Sequence, residues 1–373
     1  MERYRDMTIR KKSNVKMTRN LVFFVGLIVF TFWYIFKDQD LNELLKAIQS
    51  ADIKYVIGGT IVMLLVYLME TINIRSVLIS LGEKKFSLIR TFKYTAIGSF
   101  FSAITPAATG GQPVEIYYMS KDGIKASNGT MAMLIQLCGF QISTLFLSVV
   151  CAFLNPSLLK NGILWFYLLG ISINGFALII MLLGTFSDKT AKKFLNLSIK
   201  LLKLTKVKNF EKKKQKLEEG SIQYKESANY IKKNKMEFFK AVLRVFVQIC
   251  LYHSIPFFIY KAFGLTKMNF FELFSMQAIL YTTVSGIPLP GSIGVSESLF
   301  LKLYGTAFGK GLLSGAMLLY RFVSFYLYII IFAIFVIVNA VKTKNIESEI
   351  DRDVKEIDGI IPTRNKSTYA YSL

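Results

Sequence analysis

AIGSFFSAITPAATGGQPVEIYYM, at residues 96–119, is the stretch from which the fold can be read. It begins as an apolar, helix-like run and resumes after an interruption with a carboxylate, Glu115. The interruption contains Pro106, Gly110, Gly111 and Pro113. Because proline removes a backbone donor and glycine releases the backbone from helical geometry, this pattern predicts a helix that breaks inside an apolar segment.

A second stretch, QAILYTTVSGIPLPGSIGVSESLF at residues 277–300, repeats the pattern. Its interruption contains Pro288, Pro290 and Gly291, and the helix-like run resumes with Glu297. In both stretches the glutamate follows the first proline by nine positions, and the second pair lies 182 positions after the first. Two apolar segments broken at matching places in two halves of a membrane chain indicate a transporter-like site near the bilayer midplane.

The composition places the chain in a membrane. Of its 373 residues, 53% are hydrophobic, the mean hydropathy is +0.43, and the apolar residues come in long runs. A soluble protein with one ordinary core is far less apolar. We therefore predict an all-α, polytopic integral membrane protein with about six to eight transmembrane helices. Its two inverted-repeat-like halves would each contain one Gly/Pro-broken re-entrant segment.

The distribution of charge predicts the topology. Residues 1–19 carry seven Lys or Arg against two acids, and residues 186–237 carry fifteen Lys against six acids. The positive-inside rule places both in the cytoplasm, where the net charge of +22 fits anionic lipid better than nucleic acid. The predicted units are a basic tail 1–20, a first membrane half 21–185, a linker 186–237, a second membrane half 238–341 and a polar tail 342–373. The linker is either an element drawn to the membrane surface or a solvated connector.

The order of the spans predicts how the broken segments enter the membrane. If the linker is cytoplasmic, the two spans before it place residue 125 on the cytoplasmic side, where residue 90 already lies. The segment between them is then a re-entrant hairpin or an even number of short crossings. If the C-terminal tail is also cytoplasmic, the second broken segment starts and ends outside. Hairpins that enter from opposite faces are what inverted repeats produce.

The charged residues inside the predicted spans are candidates for the site, since each costs about 2.5–3.5 kcal/mol to insert. Glu115 follows Pro113, which suits the first position of a restarting helix, so its carboxylate would fall in the first turn. Glu115 and Glu297 either satisfy free amides at these helix starts or line a cavity and meet a cationic group. Arg321 would bind a lipid phosphate or form a structural ion pair with one of them.

Other polar residues in the spans have simpler interpretations. Arg244 lies near the start of its span and would reach the interface. The single histidine, His253, is expected to form a hydrogen bond between helices, as are Gln136, Gln141 and Gln248. The three cysteines lie in apolar runs without a Cys/His cluster, and the chain has no phosphate-loop motif. We therefore expect no metal and no cofactor.

The two broken motifs carry a resemblance to a known family. TPAATGGQPVEIYYM at 105–119, GIPLPGSIGVSESLF at 286–300 and the late Arg321 together resemble the flippase-like, lysylphosphatidylglycerol synthase transmembrane-region family, the membrane part of bacterial multiple peptide resistance factor. The resemblance covers nearly the whole chain. By resemblance, the substrate-binding motif residues are Pro106, Gly110, Gly111, Glu115, Pro288, Gly291, Gly294, Glu297 and Arg321.

The resemblance implies a function. In the full-length enzymes a cytosolic domain transfers lysine from lysyl-tRNA to phosphatidylglycerol, and the membrane region moves the product to the outer leaflet. This chain lacks that domain, so we expect a flippase-like protein of the bacterial plasma membrane. Its substrate would be phosphatidylglycerol or an aminoacylated derivative, and it could form homo-oligomers. The alternatives are a phosphatidylglycerol lysyltransferase, whose nucleic-acid partner would be lysyl-tRNA, and a membrane partner of a separate transferase.

Overall fold

The architecture is helical throughout the residues for which the computed structural model gives positions. The structure describes residues 46, 48–105, 108–160, 162–187, 196, 199–200, 210–285, 287, 289 and 292–339. The apolar run 21–36, both predicted tails and much of the first half of the linker lie outside these ranges. The ranges contain no strand, which confirms the predicted all-α class.

Ten helices carry the fold of the described residues. They are α1 (Ile53–Ser80), α2 (Leu88–Ala103), α3 (Gly111–Lys121), α4 (Ala126–Leu154), α5 (Ile163–Phe186), α6 (Phe210–Lys233), α7 (Lys235–Ala262), α8 (Phe270–Ser285), α9 (Val295–Phe308) and α10 (Lys310–Arg321). A 3₁₀ turn, Pro156–Leu159, joins α4 to α5. A π-helical turn, Phe322–Tyr326, follows α10, and helical structure continues to Asn339.

Five helices in the described ranges are long and apolar enough to cross a membrane. They are Ile53–Ser80, Ala126–Leu154, Ile163–Gly184, Lys235–Ala262 and Gly311–Asn339. The remaining apolar helices are shorter: α2 and α8 have 16 residues each, α9 has 14 and α3 has 11. At 1.5 Å per residue the longest of these reaches about 24 Å, less than the roughly 30 Å of bilayer hydrocarbon. The chain is a multi-pass membrane protein with shorter helices between its spans.

The helices α2 and α3 form a hairpin, which we call hairpin A. At its foot, Arg90 donates a hydrogen bond to the carbonyl of Asp122 over 2.6 Å. Further in, a Cβ added at Gly98 would overlap the carboxylate of Glu115. Later residues of α2 therefore contact earlier residues of α3, so the two helices are antiparallel. The segment returns to the face that it left, as both predicted alternatives require, and the lengths of its helices, 16 and 11 residues, favour the re-entrant hairpin.

The helices α8 and α9 form the corresponding hairpin B. The hydroxyl of Tyr304 donates to the carbonyl of Leu273 over 3.2 Å. Near the tip, Ser292 donates to the carbonyl of Val284 over 3.2 Å. Here too, later residues of the first helix contact earlier residues of the second, so α8 and α9 are antiparallel. Both Gly/Pro interruptions in the sequence therefore coincide with hairpin tips.

The two hairpins have their feet on opposite faces of the helix bundle. On the face where α1 ends and α4 begins, Asn128 donates to Glu83 and accepts from Ser227 of α6. We call this the linker face, and hairpin A starts and ends here. On the other face, which we call the far face, the start of α1 meets the end of α7 through Asp52 and Ala262. Hairpin B starts and ends on the far face, so the predicted opposite entry is confirmed.

Hairpin B is held by the neighbouring span α5. The amide of Asn174 donates to Ser285 over 2.9 Å and to the carbonyl of Thr282 over 3.3 Å. One turn earlier, a Cβ added at Gly170 would lie 2.3 Å from the Thr282 carbonyl oxygen. The absence of a side chain at Gly170 lets α5 lie directly against the backbone of α8. This contact holds the end of α8 against α5.

Candidate functional site

A charge pair lies at the start of α9, just past the tip of hairpin B. The Nε atom of Arg321 is 2.7 Å from Oε1 of Glu297, and both side chains are buried. The contact is therefore a buried pair of opposite charges. Tyr326 donates to the same oxygen over 3.4 Å. Of the two interpretations open for Arg321, the structure shows the ion pair with Glu297.

The second oxygen of Glu297 holds the helix start. Its Oε2 accepts a hydrogen bond from the backbone N–H of Gly294 over 2.6 Å and one from Ser296 over 2.9 Å. Gly294 has a φ of 88°, a conformation that L side chains rarely adopt. Glycine is therefore needed where the chain turns into α9. Glu297 satisfies one free amide at the helix start, as one of its two interpretations predicted.

The position of Arg321 depends on a local change in helix geometry. Arg321 ends α10, and the π-helical turn Phe322–Tyr326 follows at once. A π turn holds one more residue than an α turn and is often found at functional sites. Here it stacks the guanidinium 4.3 Å from the ring centre of Phe325. The aromatic face stabilises the buried cation beside its carboxylate.

Glu115 has a different environment. The helix α3 begins at Gly111, so Pro113 is its third residue and Glu115 its fifth. The prediction that Glu115 falls in the first turn is therefore wrong. The helix starts early because Gly111 lies against the Gly98 carbonyl and Ser102, where a Cβ would not fit.

One oxygen of the Glu115 carboxylate has no hydrogen-bond partner among the described residues. The side chain is 4% exposed, and this oxygen is Oε2. It lies against the bare backbone of Gly98 on α2, and the charge of Glu70 on α1 acts on it electrostatically. Two acidic side chains therefore share this part of the membrane interior.

A ladder of polar side chains connects Glu70 to the linker-face half of the spans. Gln248 donates to Glu70 over 3.3 Å and accepts from Gln136 over 3.0 Å. Gln136 in turn accepts from Asn73, whose oxygen accepts from Arg244 over 3.4 Å. The ladder joins α1, α4 and α7 and confirms the role expected for the two glutamines. Arg244, which was predicted to reach the interface, is half-buried and ends this ladder.

A family model described as the lysylphosphatidylglycerol synthase TM region matches residues 21–331. The chain belongs to the lysylphosphatidylglycerol synthase transmembrane-region family. The match includes both hairpins and Arg321, and no curated protein matches the chain. Membership ties this multi-pass membrane protein to lysylphosphatidylglycerol metabolism and to a lipid substrate such as phosphatidylglycerol.

The family member also contains a tyrosine cluster that sequence reasoning missed. Gln277 donates to the hydroxyl of Tyr320 over 2.6 Å and accepts from Tyr304 over 3.4 Å. The hydroxyl of Tyr252 lies 3.2 Å from that of Tyr320. Tyrosines inside predicted spans, next to Arg321 in one case, were the available signal. Each needs a partner for its hydroxyl when buried, and together they form a polar layer beside the charge pair.

The interpretation of His253 as a helix–helix hydrogen bond is wrong. The side chain is fully buried, and neither ring nitrogen has a hydrogen-bond partner among the described residues. The ring packs against aromatic rings instead, with Phe274 at 5.4 Å and Tyr281 at 5.9 Å between centroids. Gln141 likewise has no partner for its buried Oε1 within the part of the chain that is described.

The remaining predicted site residues fall into two groups. Pro106, Pro288 and Gly291 lie outside the described residues. Gly110 and Gly111 begin α3, and the N–H of Gly110 donates to Thr105 over 2.9 Å. In the described ranges, no three His, Cys, Asp or Glu side chains come together in a way that could hold a metal ion.

The foot of hairpin A is closed by a charged cluster. The carboxylate of Asp122 accepts from Lys93 over 2.8 Å and from the hydroxyl of Tyr94 over 2.6 Å. Burial alone would raise the pKa of Asp122, but the bonds from Lys93 and Tyr94 and the charges of Lys93 and Arg90 lower that pKa below its usual value. The cluster ties the two ends of the hairpin together on the linker face.

Proposed function

We propose that the protein is a flippase-like lipid transporter. It would carry lysylphosphatidylglycerol, or a related anionic or aminoacylated lipid, between leaflets and so contribute to resistance against cationic peptides. The observation that carries this proposal is the pair of hairpins entering from opposite faces, each with a buried carboxylate in its second helix. Broken helices of this kind surround substrate sites in many transporters.

The two carboxylates would have different tasks. Glu297 already pairs with Arg321, so its charge is offset within the protein. Glu115 lies beside a second acid, Glu70, and has a buried oxygen without a hydrogen-bond partner among the described residues. An ammonium group of an aminoacylated headgroup would offset this cost. We therefore assign the cationic end of the substrate to Glu115 and Glu70.

The phosphate of the same lipid would meet Arg321. A guanidinium carries five N–H donors in a planar fork that suits a phosphate. Its Nε faces Glu297 in this structure, so a phosphate would take over part of that contact as the lipid moves through. The hydroxyls of the neighbouring tyrosine cluster supply further donors at this level.

Purified protein in vesicles with lysylphosphatidylglycerol in one leaflet tests the proposal. The rate of appearance of the lysyl amine on the other side is measured with a reagent that cannot cross the membrane. We expect transport by the unchanged protein and a loss of about tenfold or more for Glu115→Gln, since a hydrogen bond to a charged group contributes about 1.5–3 kcal/mol. The control is Glu237→Gln, a carboxylate on the partly exposed start of α7. Full-rate transport by the Glu115→Gln protein would contradict the assignment.

A phosphatidylglycerol lysyltransferase is the second candidate, and the description of the family model favours it. A membrane partner for a separate transferase is the related alternative. The purified chain is given lysyl-tRNA and phosphatidylglycerol, and lysyl transfer is measured. We expect none. Product formed by the chain alone would replace the transporter proposal with an enzymatic one.

A further inference from the structure

Two acidic side chains, Glu70 of α1 and Glu115 of α3, are brought together by their contacts with α2. Thr71, the neighbour of Glu70, donates to Thr95 of α2 over 3.1 Å. Gly98 lies one helical turn further along α2, and the carboxylate of Glu115 packs against its bare backbone. The two acids therefore meet the same stretch of α2, and the charge of Glu70 acts on Glu115.

The two acids differ in the hydrogen bonds that they receive. Glu70 is half-buried, and its Oε2 accepts from the amide of Gln248 over 3.3 Å. Glu115 is 4% exposed, and its Oε2 has no hydrogen-bond donor among the described residues. Burial without donors disfavours the charged form of a carboxyl group. Glu115 is therefore the member of the pair that is better suited to hold a proton.

The basic side chains of the surrounding helices have other partners. Among the described residues, none of them forms an ion pair with Glu70 or Glu115. Arg244 of α7 donates to Asn73, and Arg75 of α1 donates to the carbonyl of Phe86. Three further cations pair with other carboxylates, namely Arg321 with Glu297, and Arg90 and Lys93 with Asp122.

The other groups around the pair bring no positive charge. The charge of Glu70 acts on Tyr67 of α1 and on Tyr281 of α8. The helices α4 and α7 contribute the amides of Gln136 and Gln248. Since neither a tyrosine nor an amide is cationic, two ionised carboxylates here would leave two uncompensated negative charges inside the membrane. One proton on the pair reduces this cost, as it does where two carboxylates share a site.

We infer that the pair of Glu70 and Glu115 binds one proton, carried by Glu115, and exchanges it for the ammonium of a substrate headgroup. When the ammonium arrives, the O–H bond of Glu115 breaks, the proton passes to water and the carboxylate pairs with the ammonium. The net charge of the occupied site is then the same before and after the exchange. This inference rests on the proposed function for the identity of the cation. It adds that a pH difference across the membrane would drive the lipid.

Infrared difference spectroscopy of the lipid-free protein in detergent at about pH 7 tests the proton without any lipid. We expect the carbonyl stretch of a protonated carboxyl group in the unchanged protein and its loss in Glu115→Gln. The control is Glu237→Gln, which removes a carboxylate from the partly exposed start of α7 and should leave the band in place. A spectrum in which Glu115→Gln removes no such band would overturn the inference, whatever the lipid does.

Calorimetric titration with short-chain lysylphosphatidylglycerol, in two buffers of different ionisation enthalpy, tests the exchange. We expect the unchanged protein to release about one proton per lipid bound, so its affinity should rise by up to about tenfold per pH unit. Glu115→Gln keeps any titration of the lipid itself and should bind more weakly without this release. Glu70→Gln should also bind more weakly but keep the release, because Glu115 remains buried without a donor to its Oε2.

The outcomes separate this inference from the proposed function. Lipid binding with no more proton release than in Glu115→Gln would overturn the exchange and leave the proposed transport intact. Release that persists in Glu115→Gln and disappears in Glu70→Gln would also overturn it, since the proton would then belong to Glu70. No binding of the lipid by the unchanged protein would contradict the proposed function and the exchange together. Thermal unfolding of each variant distinguishes lost affinity from lost folding.

Discussion

At the residue scale, Glu115 and Glu297 occupy corresponding positions in their hairpins but differ in their partners. Glu297 contacts Arg321, Tyr326, Gly294 and Ser296. Glu115 experiences the charge of another acid, Glu70, and its Oε2 has no hydrogen-bond partner among the described residues. The repeated pattern therefore places a helix break before each carboxylate, and the surrounding side chains give the two carboxylates different chemistry.

The contributions of Arg321 and Glu297 to the free energy of unfolding should depend strongly on each other. Removal of one partner from a buried pair leaves an uncompensated charge and costs about 3–5 kcal/mol. We expect Arg321→Gln and Glu297→Gln each to lower the free energy of unfolding by that order, and the double variant to lose clearly less than their sum. Denaturant unfolding in detergent micelles measures all three.

The exposed pair Lys240–Glu237 is the control for this cycle. Its Nζ and Oε1 atoms are 2.9 Å apart, but both side chains remain in contact with solvent. Such pairs contribute about 0–1 kcal/mol, so the corresponding changes there should be small. Additive losses at Arg321 and Glu297 would mean that the two charges do not stabilise each other.

Sequence reasoning found these charged residues and predicted an ion pair as one alternative, but it left open which glutamate pairs with Arg321. Arg321 and Glu297 lie 24 positions apart on different helices, and their contact depends on the π-helical turn after Arg321. The start of α3 was missed for a similar reason. Pro113 suggested a helix beginning at that residue, whereas the close packing of Gly111 on Gly98 moves the start two residues earlier.

At the element scale, the hairpins themselves were predictable because proline and glycine act locally on the backbone. How each hairpin is held was not predictable, since this depends on contacts between distant helices. Gly170 looks like any glycine in an apolar span, and only its distance to the Thr282 carbonyl shows that α5 rests on hairpin B there. The ladder from Arg244 to Glu70 depends in the same way on three helices meeting.

Gly170→Ala should separate α5 from hairpin B. The added Cβ would lie 2.3 Å from a backbone oxygen, which cannot rotate away, so one of the helices must move. We expect a loss of about 1–3 kcal/mol in stability, the usual cost of overpacking, together with slower transport. Thermal unfolding and the vesicle assay measure the two effects.

Gly175→Ala on the same helix is the matched control, because a Cβ there meets nothing within 4 Å. Alanine also favours helix more than glycine does, so this variant should be as stable as the unchanged protein or slightly more so. If the two variants behave alike, the close contact between α5 and α8 does not hold hairpin B.

The foot of hairpin A should loosen in acid. The folded pKa of Asp122 lies below its usual value, so its contribution to stability is complete above the unfolded pKa of about 3.9 and is lost as the pH falls through the folded pKa. Hydrogen exchange of the α2 and α3 ends should therefore rise below about pH 4. Asp122→Asn should show raised exchange already at pH 7 and a flatter pH dependence. An unchanged pH profile in that variant would assign the loosening to another group.

At the scale of the whole molecule, the arrangement of the hairpins follows from the order of the spans. The number of membrane crossings in the sequence predicted that the two hairpins enter from opposite faces. The contacts at the linker face and at the far face confirm this arrangement. The assignment of the linker face to the cytoplasm rests on the positive-inside rule and stays a prediction. It places the Asp122 cluster on the cytoplasmic side.

The proposed transport follows from this opposed arrangement. A lipid headgroup that enters along one hairpin would meet the Glu115 and Glu70 carboxylates, and it would reach Arg321 beside the other hairpin. We propose that this chain moves an existing lipid and makes no new one.

The most direct test of that claim is the lipid composition of each leaflet in a bacterial host that lacks this family and expresses this chain alone. The host is supplied with lysylphosphatidylglycerol on the inner side or with a separate synthase that makes it there. We predict that the chain forms no new lipid and increases the share of lysylphosphatidylglycerol in the outer leaflet. New lysylphosphatidylglycerol formed without a supplied synthase, or an unchanged distribution of the supplied lipid, would contradict the account.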